Sequence, residues 1–541
     1  MGSRGALMKT SRRAFLKTGA VAASACAAGL AAWRGIGAPH RKFTGRIIGA
    51  SSTLGHRIRD GGLPPPVRTE TVDVAVVGGG IAGLAAARRL LMRGRTDLML
   101  LELEPATGGN AASGRNEITA YPWGAHYVPI PNDESVEVRA LFEELGLITR
   151  RDTSGLPLYD DYCLCHDPME RLYISGRWQE GLLPQIGVTS EDRAQYDNFF
   201  GAMDNWRQTR GTDGRRAFAI PLDESSRDAE ILKYDRLTMR EFMDQNGWTS
   251  APLRWFVNYC CRDDYGAGMD HVSAWAGIHY FASRDGRAGN APREAVLTWP
   301  EGNGWLAQRL AEPLAGKIRT SCAVWKIVPD DRGATVDYYD VAANQSVRVR
   351  ARRVICALPR FVARKVIAEA AFSEAAEYSP WVVANVSLDG LPSGTGAPLC
   401  WDNVPYESET LGYVVATHQL LHPYPRQTVL THYSPLDQFP PARARELALS
   451  RSYEEWCHWI LSDLERVHPA ISAHVTHLDV WLWGHGMIRP VPGYIWGEAR
   501  QRMHEPLGPI HFAHSDMSGI SIFEEAYTHG VHAADAVLAS A

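Results

Sequence analysis

The chain has 541 residues and a formal net charge of −5, with 45% hydrophobic and 22% charged residues. A chain of that length holds more than one hydrophobic core, so two domains are expected. The small net charge leaves no electrostatic footprint for nucleic acid, and the nine cysteines match no metal-ligand spacing, so neither nucleic acid nor metal is expected.

Residues 11–17 read SRRAFLK, and Arg12-Arg13 is followed by a weakly apolar, uncharged stretch over 18–32. This is the pattern of a twin-arginine export leader, which predicts a periplasmic or otherwise exported protein. The apolar stretch is too short and too alanine-rich for a permanent span. No stable membrane span is therefore expected apart from the leader. No Ala-x-Ala cleavage site stands out, and Cys26 lacks the large apolar residue expected three places before a lipidated cysteine. Cleavage and a retained anchor both stay open. Residues 39–70 carry Gly-Gly and a triple proline with no clear period, and read as an irregular arm.

The next segment, over 72–110, reads VDVAVVGGGIAGLAAARRLLMRGRTDLMLLELEPATGGN. An apolar run suited to a buried parallel strand leads into Gly78, Gly80 and Gly83 at the G-x-G-x-x-G positions. Ile81 and Ala82 open a helix, and a second apolar run ends on the acid Glu102. Gly78 permits the tight turn, Gly80 lets a pyrophosphate approach the backbone, and Gly83 lets helix and strand pack closely. The helix N-terminus offers free amides to phosphates, and Glu102 can accept from a ribose. Alone, this motif allows either NAD or FAD.

Cys163-Leu164-Cys165-His166 is one residue short of a c-type haem attachment site, so haem is rejected. Helical spacing follows over 191–209, 228–246 and 251–265, a helical insertion over the substrate region. Residues 298–310 form a turn leading into an amphipathic helix. Strands are expected at 318–328 and 346–358, then a mixed sheet over 378–433. Residues 509–538 read as strand, loop and helix. The nucleotide domain is thus expected in three pieces, 71–160, 295–375 and 476–541, behind a leader at 1–38 and the arm. Substrate-domain pieces at 161–294 and 376–475 lie between them.

Together these residues resemble the FAD-dependent amine oxidase superfamily, which includes monoamine and polyamine oxidases and related desaturases. Gly108-Gly109-Asn110 resembles the segment after the ribose acid, and Trp123-Gly124-Ala125-His126-Tyr127 the segment lying against the flavin ring. Val324 matches the strand valine that holds adenine. Phe512-Ala513-His514-Ser515-Asp516 is similar to the closing F-A-G-x-E motif, with Asp516 near the ribityl or phosphate region and a helix from Phe523 aimed at the flavin's pyrimidine edge. The resemblance implies an α/β architecture: a Rossmann-type FAD-binding domain, an interleaved α+β substrate domain and the helical insertion. His514 departs from the pattern by replacing a glycine. Asn385 stands where the family's amine oxidases carry a lysine, and no cysteine stands in 483–496 for a covalent link, so non-covalent FAD is expected.

The implied chemistry is oxidation of a small-molecule amine, including polyamines, by hydride transfer to flavin N5, with oxygen, a quinone or a cytochrome as electron acceptor. Dehydrogenation of a C–C bond in an apolar substrate, or a non-catalytic flavin-binding role, remain alternatives. His126 and His485 are the acid–base candidates, with Asn385 at the lysine's place and Trp496 as a chamber wall. Trp123, Tyr127, Trp481, Trp483 and Tyr494 are further aromatics of the region. Asp263-Asp264 is read as an attractor for a cationic polyamine, or else as a helix-end cap or the partner of an arginine.

Overall fold

The computed structural model describes residues 42–367, 376–421 and 426–540. The expected leader lies outside these residues, and the compact unit considered below is Phe43–Ala541.

Two sheets organise that unit. In the seven-stranded sheet, Arg68–Val77 lies between Leu98–Leu101 and Gln345–Cys356 and runs parallel to both. Ile510–Phe512 pairs parallel with the other side of Gln345–Cys356. Val74, Ala75 and Val76 are fully buried, because helices cover such parallel strands and leave no polar face. The helix Ile81–Met92 follows the glycine turn and packs on Phe523–Ala539. That contact is close: a Cβ on Gly530 would lie 2.2 Å from the Ala82 carbonyl oxygen. Leu84, Ala86, Ala87 and Leu90 are buried to 0% exposure beneath it, and a buried leucine stabilises by roughly 1.5–3 kcal/mol.

An eight-stranded sheet carries the second half, with Val475–Ile488, Tyr378–Leu388 and Thr428–Pro435 consecutive in its middle. The arm expected to be irregular contributes here. Its strand Ile47–Gly49 pairs parallel with Val480–Leu482 at the sheet edge, and a nine-residue helix, Ser52–Asp60, follows. Ser51 between them donates its amide and hydroxyl to Glu104, at 2.7 and 2.8 Å.

Two blocks differ from expectation. The stretch at 228–246 is not one helix but Ala229–Leu232, a 3-10 turn and Met239–Gln245. Thr238 breaks it by forming a capping box with Glu241, which starts a new helix. The block at 376–475, read as sheet, also holds the helices Pro441–Ser450 and Tyr453–Val467. The second opens on a Ser452–Glu455 capping box and buries Trp456, Ile460 and Leu464. Among the described residues, no helix is long and apolar enough to cross a membrane.

Candidate active site

The glycine turn is built as its residues require. Gly78 has φ 104°, and a Cβ there would sit 2.7 Å from the Ala357 carbonyl oxygen. A Cβ on Gly83 would fall 1.9 Å from the Gly78 oxygen. Gly80 caps the helix Ile81–Met92 without a side chain, so the first amides, at Ile81, Ala82 and Gly83, take no side-chain cap. Gly108 and Gly109 press onto this turn. The Gly108 amide donates to the Gly79 carbonyl at 2.9 Å, and Gly109, at φ 56°, has no room for a Cβ beyond 3.1 Å from the Gly80 Cα.

Glu102 is buried beside the same turn and accepts from the amides of Gly79 (2.6 Å) and Glu104 (2.8 Å). Burial raises its carboxyl above the usual range, and those amides offset only part of that. Its carbonyl accepts from the Cys322 amide at 2.8 Å, which brings the strand of Val324 alongside. The residues from Gly78 to Gly83, Glu102, Gly108 to Asn110 and Val324 therefore converge on one cradle.

Asp516 is 1% exposed and already has partners. The Tyr378 hydroxyl (2.6 Å) and the Arg360 amide (2.8 Å) donate to it, and His514 lies 3.1 Å away. Burial pushes this carboxyl up, but His514, Tyr378 and the Arg360 amide outweigh it and hold it below the usual range. The histidine that replaces a glycine thus caps this turn, its Nδ1 accepting from the Asp516 amide at 3.1 Å. The closing helix Phe523–Ala539 starts without a side-chain cap, and Ile522, Phe523 and Glu524 at its start line a cavity.

That cavity, about 1070 Å³ including its mouth, joins the two halves of the site. One wall is Asn110, Gly124, Ala125 and His126; the other is Trp381, Thr431, Tyr433 and Trp483. The Ala125 amide donates to the Asn110 carbonyl at 2.9 Å, and the Asn110 side-chain amide donates to the Gly486 carbonyl. A Cβ on Gly124 would fall 2.3 Å from the Asn110 oxygen, so this wall needs its glycine. Asn110, next to Gly109 on the cradle, lines the cavity together with Gly124–His126 and the start of the closing helix, which fits an extended dinucleotide whose ring system reaches the cavity.

His126 donates from Nδ1 to the Gly124 carbonyl at 3.1 Å, and its ring lies 5.1 Å from that of Tyr433. Burial pushes its pKa down to about 4, so the imidazole is neutral near pH 7. Asp263 and Asp264, in the last turn of Ala251–Tyr265, both line the cavity. Asp264 forms an ion pair with Arg284. Asp263 instead accepts from the Tyr127 hydroxyl at 3.3 Å, and burial pushes its pKa up to about 7.

Three expected catalytic residues stand elsewhere. Asn385 lies behind the wall, donating to the Pro122 carbonyl (3.0 Å) and accepting from Thr431 (2.6 Å), so it positions Thr431 rather than facing the cavity. His485 stacks on Phe361 at 4.1 Å, away from the cavity. The cause is a bulge: Met487 pairs with Ser379 and Trp483 with Trp381, so three residues oppose Pro380 and the alternation that would align His485 with Trp483 is broken. Trp496 packs against Trp275 at 5.3 Å in the helical insertion. Its amide donates to Asp235 at 2.9 Å, so it is a packing residue. Trp481 stacks between Trp123 and Trp483 without lining the cavity, and Tyr494 is buried under the nucleotide sheet. Sequence reasoning missed Trp381 and Tyr433; their signal was the alternation of Trp381, Val383 and Asn385 along one strand and of Thr431 and Tyr433 along its neighbour.

A family profile for flavin containing amine oxidoreductases matches residues 81–538. Flavin-containing amine oxidase A of Canis lupus familiaris is 25% identical over 278 residues, 49% of this chain and 46% of that protein. The chain spans about half the length of the curated relatives it matches. Among solved structures, putrescine oxidase bound to putrescine aligns with TM-score 0.63 and 17% identity, covering 87% of this chain and 100% of that one. Cyclohexylamine oxidase from Brevibacterium oxydans aligns with TM-score 0.60 and 16% identity, covering 87% and 99%. At these identities the likeness is one of fold.

Proposed function

Because the chain belongs to the family of flavin-containing amine oxidoreductases, we propose that it binds FAD non-covalently and oxidises a small-molecule amine. No cysteine is among the described residues that line the cavity, which supports a non-covalent cofactor. Bound there, FAD supplies the two-electron hydride acceptor. The amides at Ile81, Ala82 and Gly83 would hold the pyrophosphate, Glu102 the ribose, Val324 the adenine and Gly124–His126 the ring. The uncapped start of the closing helix would favour negative charge arriving at its end of the cavity.

The observation that carries the amine reading is Asp263. It is a carboxyl facing an aromatic cavity in which the Arg284 guanidinium is taken by Asp264. An ammonium entering between Trp381 and Tyr433 gains that carboxyl and the ring faces together. Neutral His126 adds no repulsion to a cation. An apolar alkene gains nothing from Asp263 and leaves it desolvated.

Anaerobic mixing with a panel of primary amines, diamines and polyamines is expected to bleach the flavin spectrum, and an apolar alkene to leave it unchanged. Bleaching by the alkene alone would point to C–C dehydrogenation, and bleaching by an artificial donor alone to a non-catalytic flavin protein. Repeating the panel with oxygen, a quinone or a cytochrome identifies the acceptor.

We also infer export of the folded protein, supported by Arg12-Arg13 in its SRRAFLK setting. Replacing both arginines with lysine is expected to leave the flavoprotein in the cytoplasmic fraction; unchanged export would rule the twin-arginine route out.

A further inference from the structure

Oxidation of an amine needs the nitrogen lone pair, so a cavity that admits an ammonium must also remove its proton. We propose that Asp263 accepts the ammonium proton of the bound amine before oxidation. This rests on the amine reading above and deepens it. In the step, one N–H bond of the ammonium breaks and an O–H bond forms on the Asp263 carboxylate. The electron pair stays on nitrogen, and the neutral amine then meets the flavin.

The geometry singles this residue out. Asp263 lines the cavity from the last turn of Ala251–Tyr265, where the negative end of the helix dipole already disfavours a second negative charge. Its carboxyl accepts from the hydroxyl of Tyr127, which also lines the cavity. Asp264 is committed to Arg284. With a pKa of about 4, His126 is too weak a base to hold an ammonium's proton.

The groups around Asp263 set its basicity. Burial raises its pKa most, and Asp264 on the same helix raises it further. Arg284, just past the helix Ala274–Ser283, and the Tyr127 hydroxyl lower it, while Glu170 from a strand of the large sheet raises it again. Behind these stand Asp402, held by the hydroxyls of Tyr259 and Tyr433, and the buried Tyr280 and Cys260. The outcome is a carboxyl near pKa 7. An alkylamine near 10 outranks an ordinary carboxylate by about six units, and the burial of Asp263 narrows that gap. The apolar surroundings favour the neutral pair further, since they penalise both charges of the ion pair.

Glu524 is the one rival, a buried cavity carboxyl also raised to about 7. It stands at a helix start, where its own amide and the dipole stabilise the ionised form, whereas Asp263 stands at a helix end.

The test uses the flavin-loaded protein and the best amine of the panel, in anaerobic stopped flow across pH 5 to 10. Reduction by the wild type is expected to slow as pH falls through about 7, because protonated Asp263 cannot take a proton. Asp263→Asn is expected to be about a hundredfold slower at pH 7, with its rate still rising towards the amine's own ionisation. In Glu524→Gln the inflection near 7 is expected to persist. A second readout is binding of benzyltrimethylammonium, which has no proton to give, followed by tryptophan fluorescence from the cavity. It should tighten as pH rises through 7 in the wild type and weaken at least tenfold in Asp263→Asn. An Asp263→Asn rate within threefold of wild type with the same inflection overturns the proposal, as does an inflection lost in Glu524→Gln instead. If no amine reduces the wild type at any pH, the amine reading itself fails and takes this step with it.

Discussion

Gly83→Ala is expected to yield a folded protein that purifies without flavin. The added Cβ would lie 1.9 Å from the Gly78 carbonyl oxygen and 3.0 Å from its carbon, and both are backbone atoms with no rotamer to change. Gly78 has little freedom to retreat, because its amide is held by the Leu101 carbonyl at 2.8 Å and its φ of 104° fixes the turn. The helix Ile81–Met92 must therefore shift away from the strand Arg68–Val77, and the amides of Ile81 and Ala82 shift with it. Overpacking of this kind costs about 1–3 kcal/mol. Displacing the pyrophosphate cradle is expected to weaken FAD by about a hundredfold, equivalent to about 2.7 kcal/mol. Flavin absorbance after purification and a titration with added FAD measure it. Gly80→Ala is the informative contrast, since its nearest neighbour, the Gly109 Cα, is 3.8 Å away. That variant should fold without strain, so any affinity it loses reports how closely the ligand approaches the backbone. Stoichiometric flavin in purified Gly83→Ala would sink the cradle assignment.

Asp264→Asn is expected to damage both stability and substrate handling. The Asp264–Arg284 pair is largely enclosed, with side-chain exposures of 8% and 21%. Removing one member leaves a guanidinium without its partner, and breaking such a buried pair typically costs about 3–5 kcal/mol. The low end applies here, near 3 kcal/mol, because Arg284 keeps some exposure and can turn towards Asp263. That turn is the second effect. Asp263 would then carry the cation that the substrate should bring, its pKa would fall, and amine reduction would slow. Thermal melting reads the first effect and anaerobic reduction the second. Adding Arg284→Met to Asp264→Asn should recover much of the melting temperature by removing the unpaired charge. A single mutant that melts within one degree of wild type would show that the pair contributes little.

The glycine turn was legible in the sequence because its instructions are local. Gly78, Gly80 and Gly83 each answer a steric demand made by atoms a few positions away, or by one neighbouring strand. Gly108-Gly109 follows soon after, and its fit against Gly79 and Gly80 agrees with its place in the chain. The substrate half was only partly legible. Residues at 441–467 gave helix signals, including the Ser452–Glu455 capping box, that the neighbouring strand pattern masked. His485 is two residues from Trp483, and regular period-two alternation would put both on one face. The bulge that re-aims it exists only when Val475–Ile488 is paired with Tyr378–Leu388. Trp496 followed the same cluster in sequence, yet the chain had left the sheet and entered the helical insertion.

The adjacent acids divide the two kinds of information most sharply. Sequence placed Asp263 and Asp264 together at a helix end and left their roles symmetric. Tertiary structure broke that symmetry by bringing Arg284 to one carboxyl and Tyr127 to the other. The sequence by itself determined the glycine turn and the acid beside it, since short-range sterics and hydrogen bonding specify them. The tertiary structure decided which carboxyl, which histidine and which tryptophans meet the cavity. Charge pairing, burial and strand register arise between segments far apart in the chain, and only packing brings them into contact.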